Sequence, residues 1–353
     1  MRYPKFLQDN ERVGLVAPSF GCNIDPYLTR IEAAIKEFEG RGYEIVKGPN
    51  TYAGEGLGKS NTPEKCGDEL NDFFLNDRSD VILSVGGGET MCEDLEFVDF
   101  NAIKNATPKW YMGYSDNTNM VLPLATICDT ASIYSICAPS FGLTPWHASI
   151  EDAYKLLRGE KLSFTNYDGW DLSAENDEKP ALAPYEINQP FNMKAFIGSK
   201  RVGEANFSGR LIGGCIDILT ILCGTKFDAV TGHNDYFNVD GFIDRYDSDG
   251  IVWFLEACEL DPMGVKRIMW QLDNAGWFKN AKGFIIGRPM KYDIEAFGLD
   301  HEKAVLDTLS KYNVPIILDA DLGHLPPMMP MLSGAIADVS ASGGELKIDY
   351  RLE

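Results

Sequence analysis

The chain contains little histidine and few basic residues. Only four histidines occur among 353 residues, so few side chains could serve as a base near neutral pH. Lysine and arginine total 32 against 53 aspartates and glutamates, which leaves a formal net charge of -21. Such a surface repels phosphate backbones and anionic lipids, which argues against nucleic acid and membrane surfaces as partners. An anionic small substrate stays possible, because a protein with a negative net charge can still contain a basic pocket.

Paired cysteines and long apolar runs are also missing. The eight cysteines are scattered, with no Cys-x-x-Cys pair, and most lie inside apolar runs. This pattern predicts reduced, buried thiols and excludes a disulfide framework or a cysteine zinc site. No apolar run approaches the length of a membrane span, and the first ten residues lack the apolar core of a signal peptide. We therefore expect a cytoplasmic protein.

The first half of the chain alternates between apolar strand-like segments and amphipathic helical ones. Its length favours two domains, of which residues 1–160 would form the first. The alternation predicts a parallel, flavodoxin-like α/β sheet covered by helices on both faces. The predicted strands are 12–17, 43–46, 81–85, the segment ending at 113, and 131–137. The predicted helices are 25–39, 63–75, 91–97, 117–128 and 147–157.

A polar, proline-bearing connecting segment, residues 161–190, separates this domain from a mixed α/β domain over residues 191–353. We expect strands around 205–207 and 210–212, then a Gly213-Gly214 turn into a helix that ends near Ile221. A polar, acidic insert at 226–250 would either close over a ligand or contact a partner subunit. We also predict strands at 251–257, 283–287 and 315–318. One helix is predicted at 263–275 and another between the last two of these strands. The tail, 335–350, is predicted to form a hairpin that turns at 342–344.

The segment Gly113-Tyr114-Ser115-Asp116-Asn117 follows an apolar, aromatic strand. It predicts a sharp turn that lifts Ser115 before a helix, which would expose the hydroxyl and place it where the helix N-terminus favours negative charge. The match to the Gly-x-Ser-x-Gly nucleophile turn is partial, because Asn117 replaces the last glycine. The alternative is that Ser115 or Asp116 only caps the helix.

Two residues could complete a catalytic group with this serine. His324 follows the apolar segment 316–318 in a proline-rich turn, which would hold an imidazole at the end of a strand; the alternative is a structural histidine. Glu256 ends an apolar run, where a carboxylate is costly unless it is hydrogen-bonded, for example to an imidazole. The alternative is that Glu256 marks the exit of the strand into solvent. Glu259 is the other candidate for the carboxylate that pairs with the histidine.

The turn Gly86-Gly87-Gly88-Glu89 follows a buried strand and could donate backbone N–H groups to an anion. It has neither the P-loop signature nor the Gly-x-Gly-x-x-Gly spacing, and no His-Glu-x-x-His occurs, so we expect no cofactor and no metal. The weaker alternative is a metal held by Asp319, Asp321 and His324. Because ligands bind beyond the carboxyl ends of parallel strands, Ser19, the glycine turn and Ser115 should share one rim.

Several segments, in this order, together resemble one known family: 13–19, 84–88, 113–118, 209–215, 254–256 and 323–324. The chain is similar to the serine peptidase family of LD-carboxypeptidases and microcin C self-immunity carboxypeptidases. The resemblance implies that Ser115 is the nucleophile, His324 the general base and Glu256 its orienting carboxylate. It also implies an oxyanion hole from the backbone N–H groups of Gly88 and Asp116, a site near the domain boundary, and a homodimer.

The insert lengthens the chain toward the self-immunity branch, in which an aromatic side chain stacks on a nucleobase. Trp170 is the candidate for that role, and Gly87 and Glu89 are candidates for substrate binding. The expected function is hydrolysis of the amide bond to a terminal group of a small peptide-like or aminoacyl-nucleotide substrate. One alternative is removal of a terminal D-amino acid from muropeptide tetrapeptides. The non-enzymatic alternative is a two-domain ligand-binding protein, which would not explain a serine on an exposed turn.

Overall fold

The computed structural model describes residues 1–173 and 179–353, so residues 174–178 of the predicted connecting segment lie outside it. Among these residues, no helix combines the length and the apolar composition that crossing a membrane requires. The strands are β1 (Arg12–Val16), β2 (Glu44–Lys47), β3 (Val81–Ser84), β4 (Trp110–Gly113), β5 (Ser132–Tyr134), β6 (Ser163–Thr165), β7 (Gly169–Trp170), β8 (Gln189–Pro190), β9 (Lys194–Ile197), β10 (Lys200–Val202), β11 (Glu204–Cys215), β12 (His233–Asn234), β13 (Val239–Asp240), β14 (Ile251–Glu256), β15 (Ala281–Gly287), β16 (Pro315–Ala320), β17 (Met331–Ser333), β18 (Ile336–Ser342) and β19 (Glu345–Arg351).

Most of the α-helices cover amphipathic segments that the sequence predicts, but those at Phe100–Asn105 and Phe242–Arg245 were not predicted, and the predicted helix at 91–97 is a short 3-10 helix. In α1, for example, the buried side chains recur at helical spacing and face the sheet, and in α2 Thr62 caps the first turn through the amide of Lys65. The α-helices are α1 (Tyr27–Gly40), α2 (Pro63–Leu75), α3 (Phe100–Asn105), α4 (Thr118–Thr126), α5 (Ala148–Leu157), α6 (Ile216–Leu222), α7 (Phe242–Arg245), α8 (Pro262–Asn274) and α9 (His301–Leu309). Short 3-10 helices cover Met91–Glu96, Ser115–Asn117, Ala138–Gly142 and Ser310–Tyr312.

The N-terminal sheet confirms the predicted fold class. Its strand order is β17-β5-β4-β3-β1-β2, and β2, β1, β3, β4 and β5 are parallel. The order 2-1-3-4-5 is that of flavodoxin-like folds, in which ligands bind beyond the carboxyl ends of the strands. The added strand β17 comes from the C-terminal half of the chain and pairs antiparallel with β5.

The C-terminal sheet is mixed, as predicted. Its order is β10-β9-β16-β15-β14-β11-β18-β19-β6, with a parallel centre of β16, β15, β14 and β11 between antiparallel edges. The edge strand β6 comes from the N-terminal side of the connecting segment and pairs with β19. Each sheet therefore contains one strand from the other half of the chain. The domain boundaries expected from the sequence, 1–160, 161–190 and 191–353, stay a prediction.

The prediction of two short strands and a Gly213-Gly214 turn is wrong. Residues 204–215 form the single strand β11, and α6 follows it directly. A Cβ on Gly213 would lie 1.7 Å from the carbonyl oxygen of Phe254, its partner in β14. The glycines therefore allow a neighbouring strand to come close, and their role is packing within a strand.

The insert at 226–250 packs against the N-terminal half of its own chain. The rings of Phe227 and Phe237 lie 6.1 and 5.8 Å from the ring of Phe100 in α3. The hydroxyl of Tyr246 donates to Asp129 Oδ1 at 2.6 Å, just beyond α4. Apolar residues inside this polar segment therefore form an interface between the two halves, and the two roles considered for it, closure over a ligand and contact with a partner subunit, stay predictions.

Gly214 permits the closest approach between the two halves behind the Ser115 turn. A Cβ there would lie 2.5 Å from Thr118 Cγ2 in α4, and the amide of the next residue, Cys215, donates to Thr118 Oγ1 at 3.0 Å. We expect Gly214→Ala to lower the free energy of unfolding by about 1–3 kcal/mol, because the added methyl overpacks this contact. Urea unfolding measures the change. Gly203→Ala is the control, since no atom lies within 4 Å of its added Cβ; equal losses in both variants would contradict this view of Gly214.

Candidate active site

Ser115 lies at the sharp turn between β4 and α4 that the sequence predicts. Its φ of 63° falls in the left-handed region, which costs an L-residue about 1–2 kcal/mol. The turn is tight, because a Cβ on Gly113 would lie 2.7 Å from Asn117 Cγ. Backbone strain of this kind persists only where the surroundings hold it, and it is concentrated at functional sites.

The helix-cap interpretation of this segment is wrong. Neither Ser115 nor Asp116 makes a side-chain capping bond to the 3-10 turn or to α4. The carboxylate of Asp116 instead accepts from Ser19 Oγ at 2.6 Å and from the amide of Met91 at 3.1 Å. Burial raises the pKa of Asp116, although these hydrogen bonds act in the opposite direction. Asp116 thus ties the end of β1, the segment after the glycine turn and the Ser115 turn to one another.

His324 lies between the other two side chains of the predicted group. Its Nε2 is 2.9 Å from Ser115 Oγ, and its Nδ1 is 3.0 Å from Glu256 Oε2. Ser115 precedes α4, Glu256 ends β14, and His324 lies in the loop after β16. The structure therefore brings together three residues that are far apart in sequence.

Burial and charge act against each other in the His324–Glu256 pair. Burial alone would raise the pKa of Glu256, but the charge of His324 and the hydrogen bonds to the carboxylate lower it below its usual value. Burial likewise lowers the pKa of His324, yet the negative charge of Glu256, together with interactions with Cys258 and the hydrogen bond to Glu256, outweighs burial and raises that pKa well above the usual histidine range. The pair thus stabilises an imidazolium next to the serine hydroxyl.

Tyr134 is a site residue that the sequence did not reveal. Its hydroxyl donates to Glu256 Oε1 at 2.6 Å and accepts from the backbone amide of Ser115 at 3.0 Å. The one available signal is its position at the end of β5, a parallel strand whose carboxyl end meets the same rim as β4. Nothing in the sequence indicates that its hydroxyl contacts a glutamate from the other sheet.

The glycine turn runs alongside the serine, as predicted from the shared rim. A Cβ on Gly87 would lie 3.2 Å from Ser115 Oγ, and one on Gly88 would lie 2.1 Å from Ser19 Oγ. Glu89 is exposed, and its amide donates to the carbonyl of Gly58 at 3.0 Å. Burial, together with nearby carboxylates, raises the pKa of Glu89. A side chain at Gly88 would therefore overlap Ser19 Oγ, and one at Gly87 would make the Ser115 side chain shift by a few tenths of an ångström.

Trp170 lines a cavity of about 420 Å³ whose wall also includes Glu256. The Trp170 side chain is mostly buried, with the guanidinium of Arg288 4.8 Å from its ring centroid and the ring of Tyr292 at 5.1 Å. The structure therefore brings Trp170 to the glutamate side of the site, with one part of its ring covered. A smaller cavity of about 90 Å³ is lined by His324 and Tyr114.

The three residues of the metal alternative have separate partners. Asp319 forms an ion pair with Lys194 at 3.3 Å, and Asp321 forms one with Arg288 at 2.8 Å. His324 is hydrogen-bonded within the catalytic group. Within residues 1–173 and 179–353, no group of three or more His, Cys, Asp or Glu side chains is arranged to hold a metal ion.

Comparison with known families agrees with this arrangement. A family model described as the LD-carboxypeptidase N-terminal domain matches residues 13–135, and one described as the LD-carboxypeptidase C-terminal domain matches residues 208–339. The chain belongs to the LD-carboxypeptidase family. Both matched regions contribute to the site, since the first contains Ser115 and Tyr134 and the second contains Glu256 and His324.

Individual members of the LD-carboxypeptidase family are more distant. The microcin C7 self-immunity protein of Escherichia coli is 24% identical over 312 residues, which cover 86% of this chain and 83% of that protein. A Bacillus subtilis protein described as a probable murein peptide carboxypeptidase is 22% identical over 346 residues, covering 96% and 92%. A solved structure of the microcin C7 self-immunity protein with aspartyl sulfamoyl adenosine has a TM-score of 0.79 at 20% identity and 99% coverage of both chains, which shows the same two-domain fold.

The charge of Glu256 sets the protonation of His324, and this can be measured directly. In Glu256→Gln, burial still opposes the imidazolium while the charge of Glu256 is gone, so we expect the pKa of His324 to fall. NMR titration of the imidazole signals checks this, and only four histidines need assignment. Glu259→Gln removes an exposed charge nearby and should shift the pKa far less; equal shifts would refute the coupling.

Proposed function

We propose that this chain is a serine carboxypeptidase in which Ser115 is the nucleophile, His324 the general base and Glu256 the carboxylate that orients the base. The observation that carries the proposal is the position of His324, with one ring nitrogen 2.9 Å from Ser115 Oγ and the other 3.0 Å from Glu256 Oε2. Nucleophile, base and orienting group are recognised by this geometry in serine hydrolases of unrelated folds. The strained φ of Ser115 adds support, because it turns the hydroxyl away from α4.

The proposed reaction begins when His324 Nε2 takes the proton of Ser115 and Oγ attacks the amide carbonyl next to the terminal group of the substrate. Glu256 keeps Nδ1 protonated and stabilises the imidazolium that forms. His324 then gives the proton to the leaving amine, and the C–N bond breaks. Water, deprotonated by the same imidazole, hydrolyses the acyl-enzyme and regenerates the serine.

The backbone amides of Gly88 and Asp116 are the proposed oxyanion hole. Among the described residues, none accepts a hydrogen bond from the amide of Gly88, and the amide of Asp116 directly follows the nucleophile. The glycine turn runs close to Ser115 Oγ, so a carbonyl oxygen at the serine would meet these donors. One such donor contributes about 3 kcal/mol to transition-state stabilisation. Gly87 and Glu89 would border the bound substrate.

The proposed substrate is a peptide-like or aminoacyl-nucleotide conjugate. The Escherichia coli relative is named for microcin C7 self-immunity, and its structure contains aspartyl sulfamoyl adenosine. The cavity of about 420 Å³ falls in the size range of small-molecule sites and has Trp170 in its wall. Arg288, also in this wall, supplies a cation whose guanidinium lies 4.8 Å from the Trp170 ring centroid.

The second candidate within the same chemistry is removal of a terminal D-amino acid from a muropeptide tetrapeptide. The description of the Bacillus subtilis relative as a probable murein peptide carboxypeptidase favours it. The non-enzymatic alternative, a two-domain ligand-binding protein, does not account for the hydrogen bond from a strained serine to a carboxylate-bound imidazole. The homodimer and the cytoplasmic location stay predictions.

Replacing the nucleophile tests the proposal directly. Ser115→Ala should lower hydrolysis of either substrate at least about a thousandfold, because no hydroxyl remains to attack the carbonyl. The measurements are mass spectrometry of the products and labelling of the protein with a fluorophosphonate. Ser342→Ala, which changes an exposed serine in the tail hairpin, should behave as wild type. Full activity or labelling in Ser115→Ala would overturn the proposal.

Substrate choice can be tested at Trp170. If its ring supports a nucleobase, Trp170→Ala should weaken hydrolysis of an acidic aminoacyl sulfamoyl-adenylate about 10-fold or more, since base stacking contributes about 1–3 kcal/mol. Hydrolysis of a muropeptide tetrapeptide should change little. Trp270→Ala removes a tryptophan that is 65% exposed on α8 and serves as the control. An equal loss with both substrates would show that Trp170 does not recognise the nucleotide part.

A further inference from the structure

Four residues at the site form a closed ring of hydrogen bonds. Ser115 Oγ meets His324 Nε2 at 2.9 Å, and His324 Nδ1 meets Glu256 Oε2 at 3.0 Å. The other carboxylate oxygen, Oε1, accepts from the Tyr134 hydroxyl at 2.6 Å. That hydroxyl in turn accepts from the amide of Ser115 at 3.0 Å, which returns the ring to the nucleophile.

Tyr134 is held in place by its burial and by the strands on both sides of it. Its side chain is fully buried, with its ring 5.3 Å from the ring of Phe254. Its backbone pairs with Gly113 of β4 on one side and with Met331 of β17 on the other. The hydroxyl therefore has a fixed position relative to Gly113, which lies two residues before the nucleophile.

The hydroxyl of Tyr134 does two things at once. As an acceptor it binds the amide of Ser115, whose left-handed φ of 63° must be held by the surroundings. As a donor it satisfies the carboxylate oxygen of Glu256 that His324 does not reach. Burial and the charge of Glu256 raise the pKa of Tyr134 well above its usual value, so the phenol stays protonated and keeps donating.

The ring also crosses between the two halves of the protein. Ser115 and Tyr134 belong to the N-terminal sheet region, while Glu256 and His324 belong to the C-terminal one. The strand next to Tyr134, β17, is the one that the C-terminal half contributes to the N-terminal sheet. A shift between the two halves would therefore stretch two contacts of the ring together.

We propose that Tyr134 is a positioning residue of the hydrolase, which holds the Ser115 turn and orients Glu256 so that His324 is aligned with the nucleophile. The proposal rests on the proposed function, because it assigns Tyr134 a role in that same reaction. Its effect passes through Ser115 and Glu256, and Tyr134 itself does not contact the substrate.

The test compares two buried tyrosines whose hydroxyls donate to buried carboxylates. Tyr134→Phe removes both contacts of the ring, whereas Tyr167→Phe removes a 3.1 Å bond to Asp152 Oδ2 and is the matched control. We expect Tyr134→Phe to lower kcat and the rate of fluorophosphonate labelling about 10- to 100-fold, as for loss of a hydrogen bond to a charged group, with KM little changed. Tyr167→Phe should stay within about twofold of wild type in both measurements.

The pH profile separates positioning from a general loss of structure. Without the Tyr134 donor, Glu256 becomes a stronger acceptor toward His324, so the acid limb of kcat/KM should move to higher pH. A ring-fluorinated tyrosine at position 134 keeps the shape of the side chain, donates more strongly and should move the limb to lower pH. This second variant keeps the test informative if Tyr134→Phe folds poorly.

The outcomes distinguish this inference from the proposed function. If wild type hydrolyses its substrate and Tyr134→Phe matches Tyr167→Phe in rate and pH profile, the positioning role is overturned while the catalytic proposal stands. If wild type neither hydrolyses nor becomes labelled, the catalytic proposal fails. In that case NMR titration still tests the ring of hydrogen bonds, because Tyr134→Phe should raise the pKa of His324. An unchanged pKa would show that Tyr134 does not act on His324 through Glu256.

Discussion

The fully buried carboxylate of Glu256 is the constraint on which the rest of this site depends. Removing an ionised carboxylate from water costs several kcal/mol unless an opposite charge and hydrogen bonds compensate. Tyr134 supplies one such bond from the N-terminal sheet, and His324 supplies charge and a second bond from the loop after β16. Because the donors come from both halves of the chain, the carboxylate is satisfied only when the two sheets are docked.

Close backbone approaches occur within each half of the chain and, at Gly214, between the halves. Gly213 lets β14 pack against β11, Gly214 lets Thr118 contact the same strand, and Gly87 leaves room beside the serine. A methyl group at Gly213 or Gly214 would enter space that a neighbouring atom already occupies, and one at Gly87 would crowd the Ser115 side chain at 3.1 Å. The glycines thus act in concert with the strained turn at Ser115, which brings the hydroxyl to the histidine.

The order of the elements and the candidate site residues were accessible from the sequence because they rest on local patterns. The alternation of strands and helices, the serine after Gly113 and the carboxylate ending the apolar run at Glu256 each follow from composition within a few residues. The prediction of a turn at Gly213-Gly214 was wrong because glycine is found both in turns and where two strands come close together. The contact of the insert at 226–250 with the N-terminal half was not predicted, because its few apolar residues lie between many polar ones in the sequence.

By itself, the sequence determined the two α/β halves and the candidate roles of Ser115, Glu256 and His324, since each depends on the chemistry of a short segment. Only the tertiary structure decided that Asp116 holds Ser19 and Met91 and does not cap α4, and that Tyr134 joins Ser115 to Glu256. The physical reason is that hydrogen bonds between distant segments depend on the register and docking of whole sheets. No local pattern in the sequence reports that register or docking.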